Sequence, residues 1–292
     1  QFNHFTDFLQ WLKAGNHTKN LKKRPRNRTC NTYLKNVFGF FSFLEMAEDQ
    51  FGPLQVLSYG TIHVANSVGV KRRLRFRSFA GYLKEEEREV RAAEKNEIVT
   101  ILEACTNCRD QLLILMASEL GFRIGELLGI DYTKDIDYEN HSVRVYFRDD
   151  NANDARAKNA EERTGRLSTD TYDFLLFYIS EYWDILQHQN FLFINITGDT
   201  EGKPMKVASV YDMFHRMEKK TGIKITPHML RRYFANARWD SGWPLELVSQ
   251  SLGHRHLDTT TRYLNLMDDK LKQASTEFYN KHSALYGVQE LL

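Results

Sequence analysis

Cysteine is scarce in this chain: Cys30, Cys105 and Cys108 are the only three in 292 residues. An odd, low count argues against a disulfide framework and fits a reducing cytoplasm better. The C-x-x-C at 105–108 has no second pair, so no zinc site is expected there. No run of about 18 apolar residues occurs, which removes a helical membrane span from the expectations. Internal repeats and low-complexity tracts are also absent. No signal-peptide pattern stands ahead of the first helix-like stretch. The chain opens on Gln1 rather than Met, and is expected to be a fragment whose natural N-terminus lies further upstream.

The composition that remains is ordinary for a globular protein, with 42% hydrophobic and 27% charged residues. The length suits two domains of typical size. The net charge of +2 conceals an asymmetry. Residues 1–84 carry 14 lysines and arginines against 4 acidic residues, whereas the remainder is net acidic. Such polarity suggests that the first part meets a polyanion.

Apolar residues recur at helical spacing in "FNHFTDFLQWLKAG" (2–15) and again in "NTYLKNVFGFFSFLEMA" (31–47). The basic run "KNLKKRPRNR" (19–28) lies between them, and "VKRRLRFR" (70–77) follows. Solvated faces are one account of these runs. A grip on a DNA backbone through Lys22, Lys23, Arg24, Arg26, Arg28, Lys71, Arg72 and Arg73 is the other. At 81–96 the composition turns acidic and mixed, which places a linker at 85–95. It separates a helical basic domain (1–84) from a second domain (96–292). Helices are expected at "EIVTILEAC", at 110–122 and at 171–187. "HSVRVYF" (141–147) alternates as a strand does, with "GRLST" (165–169) as its hairpin partner. Pro227 and Pro244 sit where proline suits a first helical turn. The expected class is mainly α with a small antiparallel sheet (α+β).

Three stretches of the second domain hold residues suited to chemistry. "ELGFRIGELLGI" (119–130) places Glu126 three residues after Arg123, a spacing that usually makes a surface ion pair. "TPHMLRRYFAN" (226–236) puts His228 and Arg231 on one helix face near an N-terminus, where anions are favoured. "LGHRHLDTTTRYLNL" (252–266) sets His254 nine residues before Tyr263 in a polar stretch. Taken with the residues ahead of it, this last stretch also suits a helix-turn-helix.

In that order, "GFRIGELLGI", "HMLRR" and "LGHRHLDTTTRYLNL" resemble the tyrosine recombinase (phage integrase) family over about residues 92–266. The spacing from Leu-Gly-His to Tyr is the most specific match. The family also has a lysine on a Gly-Lys-Gly-x-Lys-x-Arg hairpin. "RAKNAEERTGRLS" (156–168) resembles it with Lys158 at the first lysine, but the flanking glycines are lost and "NAEE" replaces the basic turn. The resemblance implies phosphodiester cleavage by Tyr263 through a pentacoordinate phosphorane and a 3′-phosphotyrosine. Two guanidinium forks, Arg123 and Arg231, suit its non-bridging oxygens. His254 would be a third donor, with Asp258 capping the helix that carries Tyr263. His228 would accept the phenolic proton, Lys158 would protonate the leaving 5′-oxygen, and Glu126 would orient a basic group.

No cofactor and no metal are expected, because this set supplies its own positive field. The resemblance further implies a homotetramer on double-stranded recombination sites, a Holliday-junction intermediate and a clamp formed with the basic domain. It also implies integration, excision or transposition of a mobile element. The expected location is the nucleoid of a bacterial or archaeal cytoplasm. An arm-binding domain preceding Gln1 is compatible with this. The tail has Leu271, Ala274 and Phe278 at helical spacing, suited to docking on a neighbouring protomer or on its own domain. Two other outcomes use the same residues. A type IB topoisomerase would relax DNA as a monomer, and a helix-turn-helix regulator would leave Tyr263 structural.

Overall fold

A computed structural model of the chain describes residues 2–17, 24–46, 59–65, 71–77, 81–86, 91–146, 148, 153, 162–254 and 260. It divides into two compact units, Gln1–Glu89 and Val90–Leu292.

In the first unit, α1 (Phe2–Lys13) packs on α2 (Asn27–Met46). Phe5, Leu9 and Leu12 meet Cys30 and Leu34 in a small core. The buried Asn31 ties α2 to a distant segment. Its Nδ2 donates to the Leu83 carbonyl at 2.8 Å, and its Oδ1 accepts from the Leu83 N–H at 2.9 Å. Helix α2 begins four residues earlier than the apolar pattern suggests. The Cys30 N–H already bonds the Arg26 carbonyl at 3.0 Å, so the end of the basic run forms the first turn. Residues 59–65 and 71–77 of the basic domain add a strand pair to the expected helices. There β1 (Tyr59–Ala65) pairs antiparallel with β2 (Lys71–Arg77), Ile62 opposite Leu74. The cause is visible in the order of residues: β-branched and aromatic positions alternate with polar ones at period two.

The second unit begins with α3 (Lys95–Ala104) and α4 (Cys108–Leu120). The Asn107 side chain caps α4 by accepting from the Asp110 N–H at 2.9 Å. Helix α4 is buried on nearly every side, with Leu112, Ile114 and Met116 fully inside the core. A short helix α5 (Ile124–Leu128) leads to the sheet of β3 (Ile136–Asp137), β4 (Ser142–Val145) and β5 (Arg163–Arg166), in that spatial order and antiparallel.

Strand β5 starts and ends before the expected 165–169. Ser168 leaves the sheet to cap α6 (Thr169–Glu181), accepting from the Thr171 N–H. The Glu119 carboxylate holds that corner through the Ser168 N–H at 3.0 Å and the Thr171 hydroxyl at 2.6 Å. The helix expected over 171–187 breaks at Tyr182, after which α7 runs over Trp183–Leu186.

Then come α8 (Val207–Thr221), α9 (Pro227–Asp240) and α10 (Leu245–Leu252). Pro227 occupies the first turn of α9 behind the capping Thr226. Pro244 is the residue preceding α10 rather than part of its first turn. Among the described residues, no helix is long and apolar enough to cross a membrane.

Candidate active site

Four pieces of the second unit converge: the α4–α5 junction, strand β5, helix α9 and the end of α10. The junction depends on Gly121, which closes α4 in the left-handed conformation at φ 61°. A Cβ there would lie 2.4 Å from the Phe234 ring of α9, so only glycine lets the two helices meet this closely.

Arg123 follows as the cap of α5. The Glu126 carboxylate takes its main-chain N–H on Oε2 at 2.7 Å and its Nη1 on Oε1 at 2.9 Å. The expectation of a surface pair is overturned, because Glu126 is only 4% exposed. A buried carboxylate needs further partners, and Arg163 of β5 provides them. Arg163 donates from Nη1 to Oε1 at 3.3 Å and from Nη2 to Oε2, while its Nε donates to the Ser251 carbonyl at 3.0 Å. Burial works to raise the Glu126 pKa, but Arg163, the Arg123 N–H and the Arg123 charge outweigh it and hold the carboxyl below its ordinary range.

Arg231 of α9 is 2% exposed. Its Nη1 donates to the Gly121 carbonyl and its Nη2 to the Leu252 carbonyl, both at 2.6 Å. These carbonyls close α4 and α10, so the guanidinium sits at the negative ends of two helix dipoles. Nη2 also reaches His254 Nε2 at 3.0 Å. A guanidinium has only donors, so Nε2 accepts and the ring proton lies on Nδ1. That proton faces the Thr260 Oγ1 at 2.8 Å. Burial first, then the charges of Arg231, Arg123 and Arg163, push the His254 pKa down to about 3. His228 lies at the solvent edge of the group. Partial loss of water, then Arg232, Arg231 and Arg123, lower its pKa as well.

The structure thus brings Arg123, Glu126, His228, Arg231 and His254 together. Tyr263, Lys158, Lys22 and Lys23 lie outside the described residues, as do Asp258 and the tail positions Leu271, Ala274 and Phe278. Lys71, Arg72 and Arg73 are described in main chain alone, on β2. Arg24, Arg26 and Arg28 are exposed in the first unit. Sequence reasoning missed Arg163 and Thr260. A signal for Arg163 was present, since it stands at the closing arginine of the hairpin pattern that has Lys158 at its first lysine. Thr260 is one of three consecutive threonines, and nothing in the order of residues singles it out. Among the described residues, no group of three or more histidines, cysteines or carboxylates is arranged to hold a metal ion.

Residues 90–270 match the phage integrase family. The chain belongs to the phage integrase family. As a member it is a tyrosine-type DNA strand transferase acting in site-specific recombination, and neither topoisomerase-like relaxation nor non-catalytic regulation is favoured. It is 29% identical over 294 residues to transposase A from transposon Tn554 of Staphylococcus aureus, covering 96% of this chain and 79% of that protein. It is 31% identical over 185 residues to the tyrosine recombinase XerA of Saccharolobus solfataricus, covering 63% of this chain and 55% of the other. In fold it is similar to the Tn1549 transposon integrase, solved with transposon right end DNA. The TM-score is 0.64 at 17% identity, over 94% of this chain and 84% of that one.

Proposed function

We propose that this integrase-family chain moves a mobile element by cutting and rejoining double-stranded DNA at specific sites through a 3′-phosphotyrosine on Tyr263. The observation that carries the proposal is the convergence of Arg123, Arg231 and the His254 ring at the ends of α4 and α10, inside a chain that is similar along nearly all its length to a transposase. That convergence gathers the positive charge a phosphorane needs, and becomes its cradle once Arg231 exchanges a carbonyl partner for a phosphate oxygen. Two guanidinium forks stay charged at any working pH and take non-bridging oxygens in a bidentate way.

The step balances without a cofactor. The Tyr263 phenolic oxygen bonds to phosphorus, the bond to the 5′-oxygen breaks, and the phenolic proton passes to His228. Its depressed pKa keeps His228 neutral and able to accept that proton. Lys158 gives a proton to the departing 5′-oxygen. The phosphodiester energy is kept in the new bond, so the reverse attack by another 5′-hydroxyl rejoins the strands.

In the described structure both ring nitrogens of His254 are engaged and Nε2 accepts rather than donates. Its part as a third donor therefore needs the ring proton to change sides. Thr260 permits this, because a hydroxyl can turn from accepting at Nδ1 to donating there. Once Arg231 turns toward a phosphate, Nε2–H becomes the favoured form.

The basic domain, 1–84, with Lys22, Lys23, Arg24, Arg26, Arg28, Lys71, Arg72 and Arg73, is proposed as the part that grips the DNA backbone. The linker at 85–95 joins it to the catalytic domain, 96–292. Assembly is proposed to be a homotetramer on two DNA sites. The DNA-bound solved integrase supports a nucleic-acid partner.

The test is a cleavage assay on duplex carrying the element's end. The parent protein should give a denaturant-stable covalent adduct that persists in excess EDTA. Tyr263→Phe should bind the same DNA and give none. An adduct from the phenylalanine variant would dismiss Tyr263 as nucleophile.

A further inference from the structure

Arg163 is a fully engaged cation that the strand-transfer chemistry does not itself call for. Its side chain is 8% exposed, and its guanidinium lies 4.9 Å over the Phe122 ring. It comes from β5, the strand that follows the Lys158 segment. Every polar partner it has belongs to another piece of the site. Two bonds go to the Glu126 carboxylate, whose other contacts hold the Arg123 main chain and guanidinium. The third goes to the Ser251 carbonyl near the end of α10, two residues before the glycine whose carbonyl Arg123 Nη2 approaches at 3.4 Å.

Gly253 itself is shaped around this cation. It stands at φ 61°, and a Cβ there would meet Arg163 Nη1 at 2.8 Å. The turn that carries His254 is therefore moulded on the Arg163 guanidinium.

We infer that Arg163 is a positioning residue. It locks the β4–β5 hairpin to the Arg123–Glu126 unit and to the Ser251–His254 turn, so that the hairpin and the phosphate-facing groups keep one fixed geometry. This inference rests on the strand-transfer reading above. Arg163 touches no DNA in this scheme and acts through Glu126 on Arg123. Without it, the buried Glu126 keeps a single cationic partner and draws Arg123 toward itself, away from the position a phosphate requires. A shift on the order of 1 Å in such a group costs up to about a hundredfold in rate.

The experiment measures two quantities for the full chain on a duplex that traps the cleaved state: the Kd for DNA and the single-turnover rate of adduct formation. Both are read for the parent, Arg163→Met and Arg163→Lys, each also in an Arg123→Ala background. Arg163→Met should leave Kd within about twofold and slow adduct formation by roughly tenfold to a hundredfold. In the Arg123→Ala background most of that loss should vanish, because residues acting through one another are not additive. Arg163→Lys keeps the buried charge opposite Glu126 but has no planar fork to span Glu126 and Ser251 together. It should fold as the parent does and show the same split between Kd and rate in milder form, so the test holds even where the methionine variant does not fold. An unchanged rate in Arg163→Lys, or an equal loss with and without Arg123, overturns the inference. Failure of the parent to form any adduct would instead strike the strand-transfer reading, a result distinct from either.

Discussion

Arg231 donates from Nη2 to His254 Nε2 across 3.0 Å, and this contact decides where the imidazole proton sits. The proton is on Nδ1, directed at Thr260. The ring is buried beside three arginines, so charging it would set a fourth cation in a space already crowded with them.

The first prediction concerns that ring. Its folded pKa of about 3 lies below the 6.5 of an ordinary histidine. Between those values the unfolded chain binds a proton that the folded chain does not, so stability is complete above pH 6.5 and falls on acidification through that window. Between pH 7 and pH 5 the parent should lose about 2 kcal/mol from this source. Denaturant titrations of the parent and of His254→Gln at the two pH values check it. Equal losses in both proteins would mean that the ring is not held neutral.

The pH profile of cleavage provides a second test. His228 is proposed to accept the phenolic proton, and its pKa is lowered from 6.5 in the free protein. The acid limb of kcat/KM, which reports free enzyme, should therefore fall below pH 6.5. His228→Asn should lose that limb along with most of the rate. A limb that persists in the asparagine variant would assign it to another group.

Gly253 separates backbone strain from a clash. Both Gly222 and Gly253 close helices at positive φ, 74° and 61°, but a Cβ on Gly222 meets nothing within 4 Å. Gly222→Ala should show the conformational cost alone, on the order of 1 kcal/mol, with cleavage unaffected. Gly253→Ala should cost more, up to about 3 kcal/mol, and should also slow cleavage by pushing on Arg163. Urea midpoints and adduct rates measured side by side would show the difference. Matching behaviour of the two variants would refute it.

Lys158 is tested with a substrate in which the 5′-bridging oxygen of the scissile phosphate is sulfur. Lys158→Ala should cut ordinary cleavage by on the order of 10² to 10⁴. A thiolate leaves without being protonated, its conjugate acid having a pKa of about 8.5. The sulfur substrate should thus restore the variant to near the parent rate. Arg123→Ala should stay slow, since its proposed partners are the non-bridging oxygens. Rescue of Arg123→Ala in place of Lys158→Ala would mean the two roles are exchanged.

The order of residues alone determined the family and much of the local structure. Helical periodicity marks α1 and α4, and the alternation at 141–147 marks β4, because these patterns follow from how successive side chains leave a backbone. Arg123, His228, Arg231 and His254 stood out because their short words, taken in that order, resemble those of the phage integrase family, whereas each word alone also suits a surface pair, a helix end or a helix-turn-helix. What folding alone decided is whatever depends on partners distant in the chain. Glu126 looks like half of a surface pair until Arg163, 37 residues on, closes over it and makes burial tolerable. Pro244 falls just ahead of its helix, and β5 ends early because Glu119, 49 residues back, holds the Ser168 corner. The His254 proton rests on Nδ1 only because α9 delivers a guanidinium to Nε2. Hydrogen bonds between distant segments leave no period in the sequence, so the charge state and the proton positions of this site belong to the tertiary structure.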